Sequence, residues 1–159
     1  DDLRPFCVFG AINIYADNAT SECVKRIMPY CFGDNLYPGV PLINLHVIKP
    51  GDTFRIGDIS VQPIKVMHGE MPILTIDDSE LEKLIGVKKL VVNALRFSKE
   101  HHSHQLVKDA VNFANKIKAE EVFLTHVCHH IGLYAEASAM LPAGVYLAYD
   151  GMAINVSSF

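Results

Sequence analysis

Histidine is the side chain that both ligates metals and moves protons near neutral pH, and this chain concentrates it. Seven of its eight histidines fall between His68 and His130. They sit in three segments: Val66-Met67-His68-Gly69-Glu70, His101-His102-Ser103-His104, and Phe123-Leu124-Thr125-His126-Val127-Cys128-His129-His130. Most of these histidines stand where an expected strand ends or an expected helix begins. That placement points to a site assembled by a fold, not to a tag or a low-complexity tract. The chemistry it implies is metal-assisted hydrolysis, with only part of the site held here.

The elements that must position these side chains follow from hydrophobic periodicity. Ile12 to Ala16 reads as a strand. Thr20 and Ser21 can cap a helix carrying Cys23, Val24, Ile27 and Met28, stopped by Pro29. Asn35 to Pro41 is a loop. Ile43 to Ile48 is a strand with Ile43, Leu45 and Val47 inward, which leaves His46 on the outer face. Gly57-Asp58 joins Thr53–Ile56 to Ile59–His68 as a hairpin. In its second strand the alternation changes parity at Pro63, which a bulge would explain. After that shift His68 ends the inward face of Ile64 and Val66, as a ligand or as a hydrogen-bonded core histidine.

Asp77 or Asp78 can cap a helix through Ile85, ended by Gly86. Leu90-Val91-Val92 is an apolar run of the kind covered on both faces, ending at Asn93. Leu106, Ala110, Phe113 and Ile117 form one stripe of a helix over 104–118, with Ser103 as its cap. His104 would then lie in the first turn, where free N–H groups and the macrodipole attract an anion. It could protonate a phosphoryl oxygen held there, or simply be a solvated cap-region histidine. Val122 to Thr125 is a buried strand ending at His126. A helix over 132–141 follows, and Val145–Tyr149 with Met152–Val156 would close a hairpin around Asp150-Gly151. Strands alternating with helices make this an α/β chain.

Bulk properties bound the class. At 159 residues, half of them hydrophobic, the chain suits one domain with a real core. A net charge of −4 and a pI of about 6.0 leave no electrostatic footprint for nucleic acid. No apolar run approaches the roughly 20 residues that span a bilayer. The opening Asp1-Asp2-Leu3-Arg4-Pro5 is no signal peptide, and it reads as the continuation of something upstream. Cys7, Cys23, Cys31 and Cys128 form no CxxC pair, which favours buried thiols and a cytoplasmic location. Cys128 could join the histidines as a ligand, but a small apolar residue at a strand end is the simpler reading.

Several segments together resemble the metallo-β-lactamase-fold hydrolases, in the branch near the phosphoribosyl cyclic phosphodiesterase of phosphonate breakdown. They are Asp2-Leu3-Arg4-Pro5-Phe6, Tyr37-Pro38-Gly39-Val40-Pro41, Val66-Met67-His68-Gly69, Asn93-Ala94-Leu95-Arg96, His101 with Ser103-His104, Thr125-His126 through His129, and Ala148-Tyr149-Asp150-Gly151-Met152. The resemblance covers essentially the whole chain, 1–159, as a single domain. It implies an αββα sandwich, here incomplete, with two divalent metal ions (Zn, Mn or Fe) at one edge.

On that resemblance His68 and His126 match metal ligands, His104 matches the proton donor, and His129 matches a supporting position. Arg96 could attract a phosphate or pair with a carboxylate. The implied reaction is attack of metal-bound hydroxide on a small or cyclic phosphodiester. The expected partner is a small phosphorylated substrate, with membrane excluded, nucleic acid disfavoured and a homodimer left open. Readings of another kind are a non-catalytic or single-metal binding module, or a ribonuclease-like or thioesterase member of the superfamily.

Two departures qualify the match. The family's His-x-His-x-Asp-His motif is absent from the sequence, and in the family it precedes the Asp-Asp-Leu-Arg-Pro stretch. The segment that would carry the bridging aspartate is missing where Leu74 runs into Thr75. Both are expected to be absent portions of the intact protein. If the chain is natural at Leu74–Thr75, Asp77 or Asp78 would be asked to replace the bridging carboxylate, although helix capping already explains them.

Overall fold

Val122, Phe123 and Leu124 are buried one after another, so their strand is covered on both faces. They belong to β6 (Glu121–Thr125), flanked by β5 (Lys89–Asn93) and β7 (Val145–Leu147). Both pairings are parallel, with Asn93 opposite Thr125 and Leu124 opposite Leu147. Parallel neighbours need crossover connections. Here α3 (Val107–Lys116) joins β5 to β6, and α4 (Tyr134–Ala139) joins β6 to β7.

The computed structural model describes residues 3–66 and 76–156. The chain divides into two compact units, 1–64 and 65–159. The C-terminal unit also carries α2 (Asp78–Leu81). Its core gathers Ala94, Val107, Ala110, Ala114, Val122, Leu124, Ala137 and Leu147, with Leu90 and Val92 packed against it. Leu124 and Ile117 are fully buried, and each contributes about 1.5–3 kcal/mol by leaving water. Val91, on the opposite face of β5, is 58% exposed, so the expected cover on both faces of that strand is not met there. On the same face Phe123 stacks on Tyr146, ring centroids 5.4 Å apart.

The N-terminal unit holds β1 (Ile12–Ala16), α1 (Asn18–Ile27) and β2 (Ile43–Val47), with β1 and β2 parallel. It ends in the hairpin of β3 (Phe54–Ile56) and β4 (Ile59–Val61). Gly57 takes φ +57 in the turn, a conformation glycine adopts without steric cost. His46 is exposed, as its strand parity requires. It stacks on Tyr15 at 4.7 Å and its Nε2 meets Asn13 Oδ1 at 2.9 Å.

Several expected boundaries move. The cap of α1 is Asp17, whose carboxylate accepts from the Thr20 N–H at 2.7 Å, not Thr20 or Ser21. That bond, with a lesser contribution from Ala19, holds the Asp17 pKa below its ordinary value. β4 stops at Val61 without a bulge. Pro63 has no N–H to continue a ladder, and its carbonyl instead accepts from Gly51 at 3.1 Å. α2 is a single turn continued by a 3-10 turn, Glu82–Leu84. The turn at Asp150-Gly151 forms, with Met152 N–H donating to Tyr149 O at 3.0 Å. No hairpin results, because β7 takes its partner from β6 and residues 152–156 form no strand.

Candidate functional site

The site lies at the carboxyl ends of β5 and β6, the edge where open parallel sheets hold their ligands. Backbone bonds lace three segments together there. Ala94 N–H donates to Thr125 O at 2.9 Å, and Cys128 N–H donates to Leu95 O at 3.0 Å. On the other side, Leu95 N–H donates to Gln105 O at 2.9 Å and Val107 N–H donates to Arg96 O at 3.0 Å. Segment 94–96 is thus held between 125–128 and 105–107.

This lacing brings His104 against His126. Their rings lie parallel within 3°, with centroids 4.8 Å apart. His126 adopts φ +58, a left-handed conformation that costs a non-glycine residue about 1–2 kcal/mol. Residues held in such conformations concentrate at functional sites. His101 meets His104 edge-on at 4.8 Å and stacks on His102 at 4.5 Å. The Nδ1 atoms of His101 and His104 are 3.1 Å apart, and Ser103 Oγ is 2.9 Å from His104 Nδ1. Burial, reinforced by His102, His104 and Arg96, pushes the His101 pKa below its ordinary value. An open pocket of about 350 Å³ lies beside the group, lined by Glu100, His101, His102, His104 and Lys108 among others.

Helix α3 begins at Val107, not at His104. Leu106 is extended (ψ 166), and the Asp109 carboxylate accepts the Leu106 N–H at 3.0 Å, so the cap comes from inside the helix. Ser103 caps nothing and points its hydroxyl at two imidazoles. The helix-dipole argument for His104 therefore falls. Its neighbours are imidazoles and a hydroxyl in a loop.

Among the described residues Arg96 forms no ion pair with a carboxylate. Its Nε donates to Lys99 O at 2.8 Å and its Nη2 to Glu100 O at 3.3 Å, which shapes the loop leading to His101. Asn93 keeps a strand-end role: its carbonyl and Oδ1 accept from Gln105 Nε2 at 2.7 and 3.2 Å. Gln105 is buried, a polar anchor that periodicity did not single out. His129 opens a 3-10 turn, His129–Ile131, and lies 3.9 Å from the His130 ring. The His130 pKa is lowered chiefly by His129, then by burial, Arg96 and Lys99.

His68 and the Leu74–Thr75 junction lie outside the described residues. Asp77 and Asp78 are exposed at the start of α2. Among the described residues no three His, Cys, Asp or Glu side chains gather closely enough to hold a metal ion. The donors that do meet are imidazoles without a carboxylate. The described residues therefore do not by themselves fit a two-metal centre.

The architecture is shared with known proteins. A diphosphatase from the PhnP family superposes with TM-score 0.78 at 26% identity, over 99% of this chain and 65% of that one. The metallo-β-lactamase fold protein YhfI from Bacillus subtilis superposes with TM-score 0.62 at 16% identity, over 94% of this chain and 67% of that one. The chain has the metallo-β-lactamase fold and resembles the PhnP family.

By sequence, an octanoyltransferase of Porphyromonas gingivalis is 34% identical over 96% of this chain. The chain spans only 34% of that relative's length, so its name attaches to a protein most of which lies outside the match. No family model matches. No helix among the described residues is long and apolar enough to cross a membrane.

Proposed function

We propose that the parent protein of this metallo-β-lactamase-fold chain is a metal-dependent hydrolase acting on a small or cyclic phosphodiester. The observation that carries the reading is the His104–His126 pair, two parallel imidazoles from separate segments at the sheet's carboxyl edge. The likeness to a PhnP-family diphosphatase supports phosphoryl chemistry. In the intact protein His126 and His68 are the metal ligands this chain contributes. The divalent ions they help to bind would act as Lewis acids on the phosphoryl group.

His104 gives its proton to the leaving oxygen. Contact with the His126 ring and the hydrogen bond between its Nδ1 and Ser103 Oγ limit its rotation. His129, on the turn that follows His126 and Cys128, takes the supporting role. The full-length, metal-loaded protein is expected to cleave a generic aryl phosphodiester, and His126→Ala to abolish cleavage. Activity retained in that variant refutes the assignment.

The octanoyltransferase name of the sequence relative points to acyl chemistry, and the second reading is the thioesterase alternative of the superfamily. An octanoyl thioester offered to the same protein separates the two. Turnover of the thioester alone would replace the phosphodiester reading.

A further inference from the structure

A proton donor must present the correct nitrogen, and the loop before α3 contains groups that select it. Ser103 N–H lies 3.3 Å from His101 Nδ1 and is a fixed donor. His101 Nδ1 must therefore be bare, since a proton there would face another proton. His104 Nδ1 approaches that bare nitrogen at 3.1 Å and Ser103 Oγ at 2.9 Å. If His104 Nδ1 were also bare, two lone pairs would oppose each other at 3.1 Å. With a proton on His104 Nδ1 every contact is satisfied. The proton is donated to His101 directly, or to Ser103 Oγ, whose own hydroxyl then donates to His101 Nδ1 at 3.3 Å.

We propose that His101 and Ser103 are positioning residues that keep a proton on His104 Nδ1, so that Nε2 is the nitrogen that exchanges its proton with substrate: the imidazolium gives its Nε2 proton to the leaving oxygen and the neutral Nδ1–H tautomer remains. The catalytic consequence rests on His104 being the proton donor of the proposed reaction. The tautomer itself rests only on the loop's geometry. Burial and the cationic neighbours that keep His101 neutral act in the same direction, because a neutral His101 can accept at Nδ1. Outer partners that fix the tautomer and orientation of an active imidazole are a general device. Here the partner is a second imidazole, itself oriented by a backbone N–H.

The test uses the intact, zinc-loaded protein and nitrogen-15 NMR of the imidazole rings, with His104→Gln assigning the signal. Two substitutions of His101 separate positioning from bulk. The Oδ1 of asparagine is as many bonds from Cα as Nδ1 of histidine, so His101→Asn can still accept from Ser103 N–H and His104 Nδ1–H. His101→Gln places its amide one bond further out. Wild type and His101→Asn are expected to show Nδ1–H on His104 and similar kcat.

His101→Gln is expected to lose the tautomer preference and to lower kcat by roughly 10–100-fold, the usual effect of such outer partners, with KM little changed. Ser103→Ala keeps the backbone donor and should keep the tautomer through the direct contact. A neutral wild-type His104 that carries its one proton on Nε2, or an unchanged tautomer in His101→Gln, overturns the proposal. An Nδ1–H His104 in a protein inert toward phosphodiesters would leave the positioning intact and remove the reaction. A neutral His104 with its one proton on Nε2 in an active enzyme would do the reverse.

Discussion

Gln105→Met removes two hydrogen bonds while nearly preserving side-chain volume, and so measures what anchors the loop of His101 and His104. The Gln105 amide is the donor for Asn93 O at 2.7 Å and Asn93 Oδ1 at 3.2 Å, in a residue only 7% exposed. Methionine supplies no N–H, and it leaves the carbonyl at the end of β5 without that donor. A stranded buried acceptor costs about 1–3 kcal/mol, so a local loss of about 2 kcal/mol is expected. A change of that size multiplies the open population by up to roughly thirtyfold.

Hydrogen exchange on the intact protein reads this locally. The amides of Ala94 and Leu95 are the reporters, because they bond to Thr125 O and Gln105 O at the same edge. Amides of β1, in the other unit, serve as the internal control. Gln105→Ala also removes a methylene from the core and should cost about 1 kcal/mol more. Unchanged exchange at Ala94 and Leu95 in Gln105→Met would show that the backbone lacing holds the edge without the side chain, and the reasoning fails.

Three further outcomes follow from backbone conformation and charge. Gly144 sits at φ +81, and a Cβ there would lie 3.2 Å from Glu120 O. Gly144→Ala should therefore destabilise by about 1–2 kcal/mol, whereas Gly132→Ala, at φ +99 in open space, meets only the backbone term; equal urea midpoints for Gly144→Ala and wild type would contradict this. His126→Gly should leave stability equal or raise it by up to about 1 kcal/mol, because glycine takes φ +58 freely, while abolishing hydrolysis; a clearly lowered unfolding midpoint would show that the His126 ring contributes more than its backbone costs.

The lowered pKa of His130 has a defined sign. As pH falls through its ordinary value of 6.5, the unfolded chain binds a proton that the folded chain resists. Stability is then lost until the lowered folded value is reached. His130→Asn should flatten the pH dependence of the unfolding midpoint as pH falls through 6.5, and an unaltered slope would count against the assignment.

Strand and helix types were largely legible because periodicity is local. Ile12–Ala16, Ile43–Ile48, Leu90–Val92 and Val122–Thr125 match β1, β2, β5 and β6 in element type, although Val47, expected inward, is exposed. What misled was capping and pairing, which are not local. Ser103 looked like the cap of α3, but the bond that starts the helix comes from Asp109, three residues beyond Leu106. Asp150-Gly151 turns as expected, yet β7 pairs in parallel with β6, a long-range choice that no turn signal contains. Gln105 escaped notice because a lone polar residue in an irregular stretch has no pattern until its partner Asn93 is adjacent.

By itself the sequence determined which chemistry was available. Imidazoles at element ends, few carboxylates among them, and motifs resembling one hydrolase fold were all readable from residue type and spacing. Only the tertiary structure decided which imidazoles meet. His104 and His126 belong to segments far apart in the chain, and they face each other because β5 and β6 are parallel with Asn93 opposite Thr125. Ser103, expected as a helix cap, is instead the link between two histidines. Register and backbone hydrogen bonds are properties of paired segments, and pairing is what a linear pattern leaves open.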